Sequence, residues 1–318
     1  MTPPNPSRRA VARRALRLLG RVARATAASC LQFRVTGLAA EAAFFALLSV
    51  PPLVFALTGS IGYVSEHLSA GEVGQVRDFV VELASRALTD TAVDRVVVPT
   101  IDDVLEGGRF DVVSVGFVLA LWSGSRALHV FVDTITIMHG LGGRRGIIAT
   151  RALSFGLYLL GLVIGAVMIP LVVAGPTFLT SVTPSRLEVL LGFYWPTVLV
   201  LGTCFLATLH HVAVPVRTRW RMNLPGAVLT LALWILGSGV LRWGLAATAA
   251  ESRSIFGPLA APIYVLLWLY LLAIAVLVGA ALNAALDRLV PQSTTAAARR
   301  ELALLLRPRR QPGAPVGD

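Results

Sequence analysis

The sequence predicts an all-α protein, a polytopic membrane bundle of six transmembrane helices, and three observations predict it. Hydrophobic residues make up 56% of the 318 residues and charged residues only 14%, so folding in water would leave much apolar surface uncovered. Six apolar stretches are each near or above the roughly 20 residues that cross a bilayer core of about 30 Å. Arginines are concentrated on alternate connections between these stretches, as the positive-inside rule requires of a multi-pass protein.

The six predicted spans form a membrane domain over residues 37–288 and cover residues 37–63, 112–137, 152–174, 187–213, 223–249 and 256–286. Pro51 and Pro52 remove two backbone donors inside span one, so we expect this span to kink or break there. A break would resemble the discontinuous helices of transporter sites, whereas an inert proline kink also occurs in membrane helices. Both interpretations stay open at the level of sequence.

Charge distribution predicts the orientation of the spans. All 28 basic residues are arginine; eight precede span one, others lie at 144–145 and 217–221, and six follow at 288–310. Residues 64–111 are the reverse, with ten of the 17 acidic residues and four arginines. The positive-inside rule therefore predicts that both termini are cytoplasmic and that residues 64–111 are external. An even number of spans independently requires the two termini to lie on one side.

Three segments outside the spans are also predicted. Within residues 1–36, arginines recur at helical spacing opposite apolar residues, which predicts an amphipathic helix at 8–24 lying in the inner headgroup region. A capping-box pattern at 69–72 predicts that the external segment 64–111 is helical, as two short helices split near Pro99. The tail, residues 289–318, is rich in arginine and proline and is predicted to be disordered apart from a candidate surface helix at 296–306.

The net charge of +11 has two interpretations. Strongly basic chains often bind nucleic acid, but here the arginines lie at the ends of spans, where they set topology and contact anionic phospholipid. We therefore expect membrane lipids as partners, including anionic phospholipid at the cytoplasmic face, and no nucleic acid.

Span two contains the candidate functional residues. Arg126, His129 and Asp133 follow one another at offsets of three and four, which places them on one helical face. A charge at mid-span costs at least about 2.5 kcal/mol on insertion scales, so Arg126 requires a partner or water. Glu41 in span one is the nearest candidate partner, but in depth it matches Asp133 and His129, so a direct bond to Arg126 requires a favourable tilt or a bridging water. Two interpretations remain, a structural lock between spans one and two and a polar path for a charged headgroup or proton.

Other residues give no indication of catalysis. We find no Ser-His-Asp set, paired carboxylates, phosphate loop or zinc motif, so we predict no catalytic residue, metal site or cofactor, and no enzyme. Cys30 and Cys204 lie in no ligand spacing. His210 and His211, at the inner end of span four, are expected to face lipid headgroups.

Four segments resemble the YihY/virulence factor BrkB family of bacterial membrane proteins. They are GLAAEAAFFALLSVPPLV at 37–54, LWSGSRALHVFVDTITIMHG at 121–140, LPGAVLTLALW at 224–234, and the last-span pattern at 256–283 with Phe256-Gly257, Trp268-Leu269-Tyr270 and Gly279-Ala280 to Asn283. The resemblance is collinear over about 37–286. It implies six helical spans in the cytoplasmic membrane and an activity that is not established.

The chain departs from the family pattern at three positions. Phe256, Thr136 and Ala281 stand where the family often has Tyr, Asn and Glu, which leaves any family role of those side chains in question here. A ribonuclease label attached to the family has no support in these residues, which contain no His/Lys or metal-carboxylate set.

The sequence therefore leads to three functional hypotheses. The first is a transporter or flippase-like protein for a lipid or other amphiphile, with Glu41, Arg126 and Asp133 along a polar path. The second is a non-transporting scaffold for envelope processes, and the third and weakest is a nuclease. A transporter would be expected to tolerate removal of residues 299–318. Substrate, energy source, direction and oligomeric state leave no signature in the sequence.

Overall fold

The computed structural model describes residues 8–64, 74, 77–78, 81, 93–94, 98–99, 102, 110–182, 194–249 and 257–305. The described chain forms eight α-helices and a short 3₁₀ turn at Trp220–Asn223. The helices are α1 (Arg8–Gln32), α2 (Val35–Val64), α3 (Phe110–Met138), α4 (Ile147–Val182), α5 (Tyr194–Ala213), α6 (Leu224–Ala249), α7 (Gly257–Leu289) and α8 (Ser293–Leu305).

Helices α2 to α7 are each long and apolar enough to cross a membrane. Large apolar side chains such as Val118 on α3, Leu236 on α6 and Ile263 on α7 are exposed, which suits a surface solvated by lipid rather than water. The predicted all-helical, six-span membrane bundle is therefore confirmed. Helix α4 begins at Ile147, five residues before the predicted start of span three.

Helix α1 is longer than the predicted amphipathic helix and ends at Gln32 rather than Arg24. Residues 25–32 contain no helix breaker, and Ser29 is buried where this end of α1 packs against α7. The helix ends in a tight turn in which Arg34 adopts a left-handed backbone conformation with φ of 50°. The interfacial location predicted for the remainder of α1 stays a prediction.

Helix α2 runs without interruption through Pro51 and Pro52. Of the two interpretations that the sequence left open, the continuous helix favours an inert proline kink over a discontinuous helix. A helix can continue through proline when only individual backbone hydrogen bonds are lost and neighbouring hydroxyls supply others. Ser49, just before the pair, donates from its hydroxyl to the Ala46 carbonyl at 2.7 Å.

Small residues form the contact between α2, α3 and α7. Ala39 and Ala42 on α2, and Ala280 and Ala284 on α7, are fully buried together with Ile135 on α3. Alanine side chains let helix backbones approach closely, and this approach supplies the van der Waals contacts that hold helices together in lipid. A second buried group lies between α5, α6 and α7 and includes Leu206, Ala227 and Val276.

Helix α3 ends in a Schellman motif that turns the chain sharply into α4. Gly140 has φ of 69°, its amide donates to the Ile137 carbonyl at 2.8 Å, and the Leu141 amide donates to the Thr136 carbonyl at 3.1 Å. Leu141 is fully buried in the core. Glycine is required at this turn because its left-handed conformation strains other residues.

The tail differs from the sequence-based expectation where the structure describes it. Helix α8 begins at Ser293, earlier than the predicted residue 296, and packs against the bundle with Thr295 and Ala298 buried. Residues 306–318 lie outside the described residues. The structure thus has a helix where the sequence analysis placed a candidate surface helix, beginning three residues earlier and docked on the bundle.

Most of the predicted external segment lies outside the described residues, so the two short helices predicted to be split near Pro99 stay a prediction. One long-range contact is described there. Arg77 donates two hydrogen bonds to the Asp102 carboxylate, at 2.6 and 3.1 Å. These hydrogen bonds from the guanidinium lower the pKa of Asp102.

Candidate functional site

A charged cluster lies between α2, α3 and α4 and comprises Glu41, Arg126, His129, Asp133 and Arg151. Its centre is an ion pair in which Arg126 Nη2 donates to Glu41 Oε1 at 3.1 Å. The direct bond shows that the stagger of α2 and α3 brings both residues to one level, which counting from span ends does not reveal. Both side chains are about one-third exposed, at 36% and 37%.

Aromatic rings surround the Arg126 guanidinium. Its Cζ atom lies 5.5 Å from the centroid of the Phe45 ring, a cation–π contact. The Phe45 ring in turn meets Trp122 edge to face, with centroids 6.0 Å apart. Arg126 Nε is buried and has no hydrogen-bond partner, so the ion pair and the rings leave part of the guanidinium unsatisfied.

His129 lies on the same face of α3 as Arg126, one turn further along. Its Nδ1 atom is buried without a hydrogen-bond partner, and the charges of Arg151, Asp133, Arg126 and Glu41 all act on its ring. Asp133 is exposed and forms no hydrogen bond or ion pair with the described residues. Of the two acids considered as partners for Arg126, the structure brings Glu41 into contact and not Asp133.

Arg151 is a member of the cluster that the sequence analysis missed. The predicted span three begins at residue 152 and therefore leaves Arg151 outside it, whereas Arg151 lies about one turn inside α4. Its Nη1 atom is buried and has no hydrogen-bond partner. The signal was present in Ile147 and Ile148, which extend the apolar run toward the N-terminus of the span.

A groove of about 530 Å³ opens between α3 and α4 beside this cluster. Its lining is apolar apart from a few groups and consists of Val118, Leu121, Trp122, Ser125, Ile148, Arg151, Ala152 and Phe155. The Ser125 hydroxyl already donates to the Trp122 carbonyl at 2.9 Å, so Arg151 supplies the groove's charge. The groove is open rather than enclosed, and its walls are almost entirely apolar.

A second polar group, the amide cluster, lies between α5, α6 and α7 and comprises His210, Asn223, Gly226, Thr230 and Asn283. The Gly226 amide donates to Asn283 Oδ1 at 2.8 Å, while Asn283 Nδ2 lies 3.1 Å from both His210 Nδ1 and the Asn223 carbonyl. The Gly226 bond fixes which end of the amide is oxygen, so Nδ2 donates to His210 Nδ1. His210 is thereby a neutral tautomer that donates from Nε2 to the Val276 carbonyl at 3.3 Å.

The expectation that His210 faces lipid headgroups is therefore wrong, because His210 is fully buried. Asn283 and a backbone carbonyl of α7 satisfy its ring nitrogens. His211 is partly buried and lies 3.0 Å from the Thr218 hydroxyl.

Two glycines allow α6 and α7 to cross at close range beside the amide cluster. A Cβ atom on Gly279 would lie 2.1 Å from Thr230 Oγ1 and 2.4 Å from the Gly226 carbonyl oxygen. A Cβ atom on Gly226 would lie 2.3 Å from both Asn283 Nδ2 and the Gly279 carbonyl oxygen. Only glycine permits this crossing.

A third polar group joins α8 to the turn between α3 and α4. Asp287, of which 5% of the side chain is exposed, pairs with Arg299 and accepts a hydrogen bond from the Thr295 hydroxyl at 2.9 Å. Arg299 Nε also donates to the His139 carbonyl at 2.7 Å. Removal of Arg299 would leave the buried Asp287 carboxylate without its ion-pair partner. A truncation at residue 299 therefore disturbs the fold, and truncation after Leu305 is the milder test.

Two further arginines at this end cap helix C-termini. Arg288 donates to the Met138 carbonyl at the end of α3 at 2.9 Å, and Arg145 donates to the Val212 carbonyl near the end of α5 at 3.2 Å. Burial lowers the pKa of Arg145 and of His139. These two arginines thus stabilise the bundle by bonding to carbonyls at the ends of neighbouring helices.

The positions at which the chain departs from the family pattern have structural roles where they are described. Thr136 Oγ1 lies 2.9 Å from the Ala213 carbonyl and joins α3 to α5. Ala281 is fully buried in the core, and Phe256 lies outside the described residues. No group of three or more His, Cys, Asp or Glu side chains that could hold a metal occurs in the described part of the chain.

Comparison with known proteins gives a family match across most of the chain. The model of the family described as Virulence factor BrkB matches residues 27–302. Over 255 residues the chain is 25% identical to the "Putative ribonuclease-like protein YfkH" of Bacillus subtilis (strain 168), covering 78% of this chain and 89% of that protein. Over 268 residues it is 26% identical to "UPF0761 membrane protein VSAL_I2938" of Aliivibrio salmonicida (strain LFI1238), covering 80% and 79%. No solved structure matches the chain.

Proposed function

This chain belongs to the virulence factor BrkB family, and we propose that it is a transporter or flippase-like protein for a lipid or another amphiphile. The observation that carries the proposal is the charged cluster, whose arginines and histidine retain buried nitrogens without partners. Leaving a buried donor or acceptor unsatisfied costs about 1–3 kcal/mol. A purely structural lock would gain from satisfying these groups, whereas a path for a polar headgroup must keep hydrogen-bonding capacity for its cargo.

The groove between α3 and α4 supports the same proposal. Amphiphiles present both an apolar and a polar part, and the groove combines apolar walls with Arg151. The Glu41–Arg126 pair, which joins α2 to α3, lies beside the groove. An ion pair of this kind can exchange partners with a passing charged group, because a charge that leaves the pair can bind that group instead.

We further propose that the protein lies in the bacterial cytoplasmic membrane with both termini in the cytoplasm, as the arginine distribution favours. The test uses a background in which Cys30 and Cys204 are alanine. A cysteine introduced at Asp90 is expected to react with an impermeant thiol reagent in intact cells, and one at Arg219 only after permeabilisation. The opposite labelling pattern would overturn this orientation.

A non-transporting membrane scaffold for envelope processes is the alternative. The docked helix α8 favours it, because α8 presents Glu301 and Arg300 beside the connections between spans. The ribonuclease-like name belongs to a relative, and we propose no such activity for this chain, because its sequence contains no His/Lys or metal-carboxylate set.

The test of transport is reconstitution of the full chain into vesicles that contain fluorescent phospholipid, with dithionite added outside. The parent protein is expected to make inner-leaflet lipid accessible, with or without an imposed proton gradient. Glu41→Gln and Arg126→Lys are expected to slow this at least about tenfold, while the exposed connection variant Arg217→Gln does not. If folded Glu41→Gln and Arg126→Lys both move lipid like the parent, or if the parent moves none, transport through this cluster is refuted.

A further inference from the structure

We propose that the groove between α3 and α4 is a binding site for one anionic phospholipid, with its phosphate at Arg151 and an acyl chain along the apolar wall. The inference rests on the proposed function in that this phospholipid is the amphiphile to be moved. It names the substrate class as anionic and assigns its first contact to a residue outside the Glu41–Arg126 pair.

Charge complementarity argues for the anion. Arg126 is neutralised by Glu41, whereas Arg151 forms no hydrogen bond or ion pair with the described residues and its Nη1 atom is buried. A guanidinium held in this way is desolvated on one side, and the Arg151 side chain also lines the groove. Phosphate oxygens satisfy such a group best, because guanidinium and phosphate match in a two-bond geometry.

The position of Arg151 argues for a lipid headgroup. Arg151 lies about one turn from the start of α4, near the level at which a helix leaves the apolar core. Ile147 and Ile148 at that end are strongly exposed, so this part of α4 borders lipid rather than another described helix. A headgroup in the adjoining leaflet can reach the guanidinium from the side.

The groove wall argues for an attached acyl chain rather than a free anion. Val118, Leu121 and Phe155 offer no hydrogen bonds, and Ala152 leaves room between them. Inorganic phosphate would gain nothing from this wall, whereas an acyl chain would exchange bulk lipid for a fitted surface. The commitment is therefore to a phospholipid and not to soluble phosphate.

Binding is tested on the full chain in detergent by native mass spectrometry with phosphatidylglycerol and, separately, phosphatidylcholine. The parent is expected to bind phosphatidylglycerol at least about tenfold more tightly. Arg151→Gln is expected to abolish this preference and Arg217→Gln, the matched exposed arginine, to retain it. Ala152→Trp fills the groove without changing charge and is expected to weaken binding of both lipids.

Three outcomes would overturn the site. They are equal affinity of the parent for the two lipids, an unchanged preference in folded Arg151→Gln, or unchanged binding in Ala152→Trp. Millimolar inorganic phosphate is added as a competitor, and full displacement of phosphatidylglycerol would show a free-anion site and refute the lipid. If Arg151→Gln does not fold, Ala152→Trp and the competition decide alone.

The two proposals fail separately. Selective binding that requires Arg151, without lipid movement in vesicles, supports the site and refutes transport. Movement of lipid that is indifferent to Arg151→Gln and to headgroup charge supports transport and refutes the site.

Discussion

The charged cluster between α2, α3 and α4 and the amide cluster between α5, α6 and α7 both place polar groups among membrane-spanning helices, but they satisfy them differently. In the amide cluster, Asn283 connects a backbone amide, a backbone carbonyl and His210, and Asn223 Nδ2 alone is left without a partner among the described groups. In the charged cluster, Arg126, His129 and Arg151 each retain a buried nitrogen without a partner. The amide cluster therefore has the properties of a structural joint, and the charged cluster those of a site with unused binding capacity.

Exposure differs in the same direction. His210 and Thr230 are fully buried, and the nearby glycine crossing leaves no room for a Cβ atom between α6 and α7. Glu41 and Arg126 are each about one-third exposed, and a groove adjoins them. A closed network resists displacement, whereas a half-open ion pair can exchange its partner.

The largest expected effect comes from the glycine crossing. Gly279→Ala places a methyl group against the Gly226 carbonyl, which is part of the α6 backbone and cannot rotate away as a side chain could. Helices α6 and α7 must therefore separate, with a cost of about 3 kcal/mol or more. Folded yield and thermal stability in detergent measure this effect. Gly239→Ala on α6 is the control, because a Cβ there meets nothing within 4 Å. Equal stability of the two variants would contradict the close crossing.

A somewhat smaller effect is expected from Asn283→Ala. This change leaves the Gly226 amide, the Asn223 carbonyl and His210 Nδ1 unsatisfied, and we expect a loss of about 2–3 kcal/mol. Denaturant titration in detergent gives the comparison. Thr203→Ala removes only an exposed bond within α5 and should cost much less. The amide cluster is not a joint if both variants unfold at the same denaturant concentration.

The charged cluster should be more tolerant. Arg126→Ala is expected to cost about 2 kcal/mol, because it leaves the Glu41 carboxylate unpaired inside a spanning helix, although Glu41 lies only in the second turn of α2 and not at mid-span. Adding Glu41→Gln should restore stability, and adding Asp133→Asn should not. The double variants are compared by thermal unfolding. If Asp133→Asn restores stability instead, Asp133 is the partner of Arg126. If Arg126→Ala causes no loss of stability, the Glu41–Arg126 pair does not stabilise the fold.

The smallest effect is a pH dependence at the arginine-rich end of the bundle. Burial lowers the pKa of His139 below its ordinary value of about 6.5. The unfolded chain therefore binds the extra proton first, and the stability that neutral His139 contributes is present above pH 6.5 and is lost as pH falls. One such group accounts for no more than about 0.7 kcal/mol between pH 7 and pH 6.

His139→Gln should flatten this pH dependence because it removes the titrating ring. The glutamine amide can still donate to the Ile135 carbonyl, which lies 2.8 Å from His139 Nδ1. Unfolding at several pH values separates this contribution from those of the two clusters. A variant whose stability falls with pH as steeply as that of the parent would assign the dependence to other groups.

Counting along the sequence predicted most of the architecture. Apolar length and the avoidance of charge are local properties, and they were sufficient for the six spans and the helical face shared by Arg126, His129 and Asp133. The motifs at 37–54 and 121–140 also indicated the family to which the chain belongs. Helix ends were less predictable. The start of α4, which brings Arg151 into the helix, and the start of α8 at residue 293 depend on what the chain packs against.

Tertiary structure decided which polar groups meet. Glu41 and Arg126 are 85 residues apart, and their bond depends on the stagger of two helices that no sequence spacing encodes. His210 was expected to face lipid because polar residues near a span end usually do, but Asn283, 73 residues away, satisfies it in the interior. Arg299 likewise pairs with Asp287 only because α8 folds back onto the bundle. Local hydrophobicity determines that a segment enters the membrane, while packing between distant helices determines which of its polar groups remain available for a ligand.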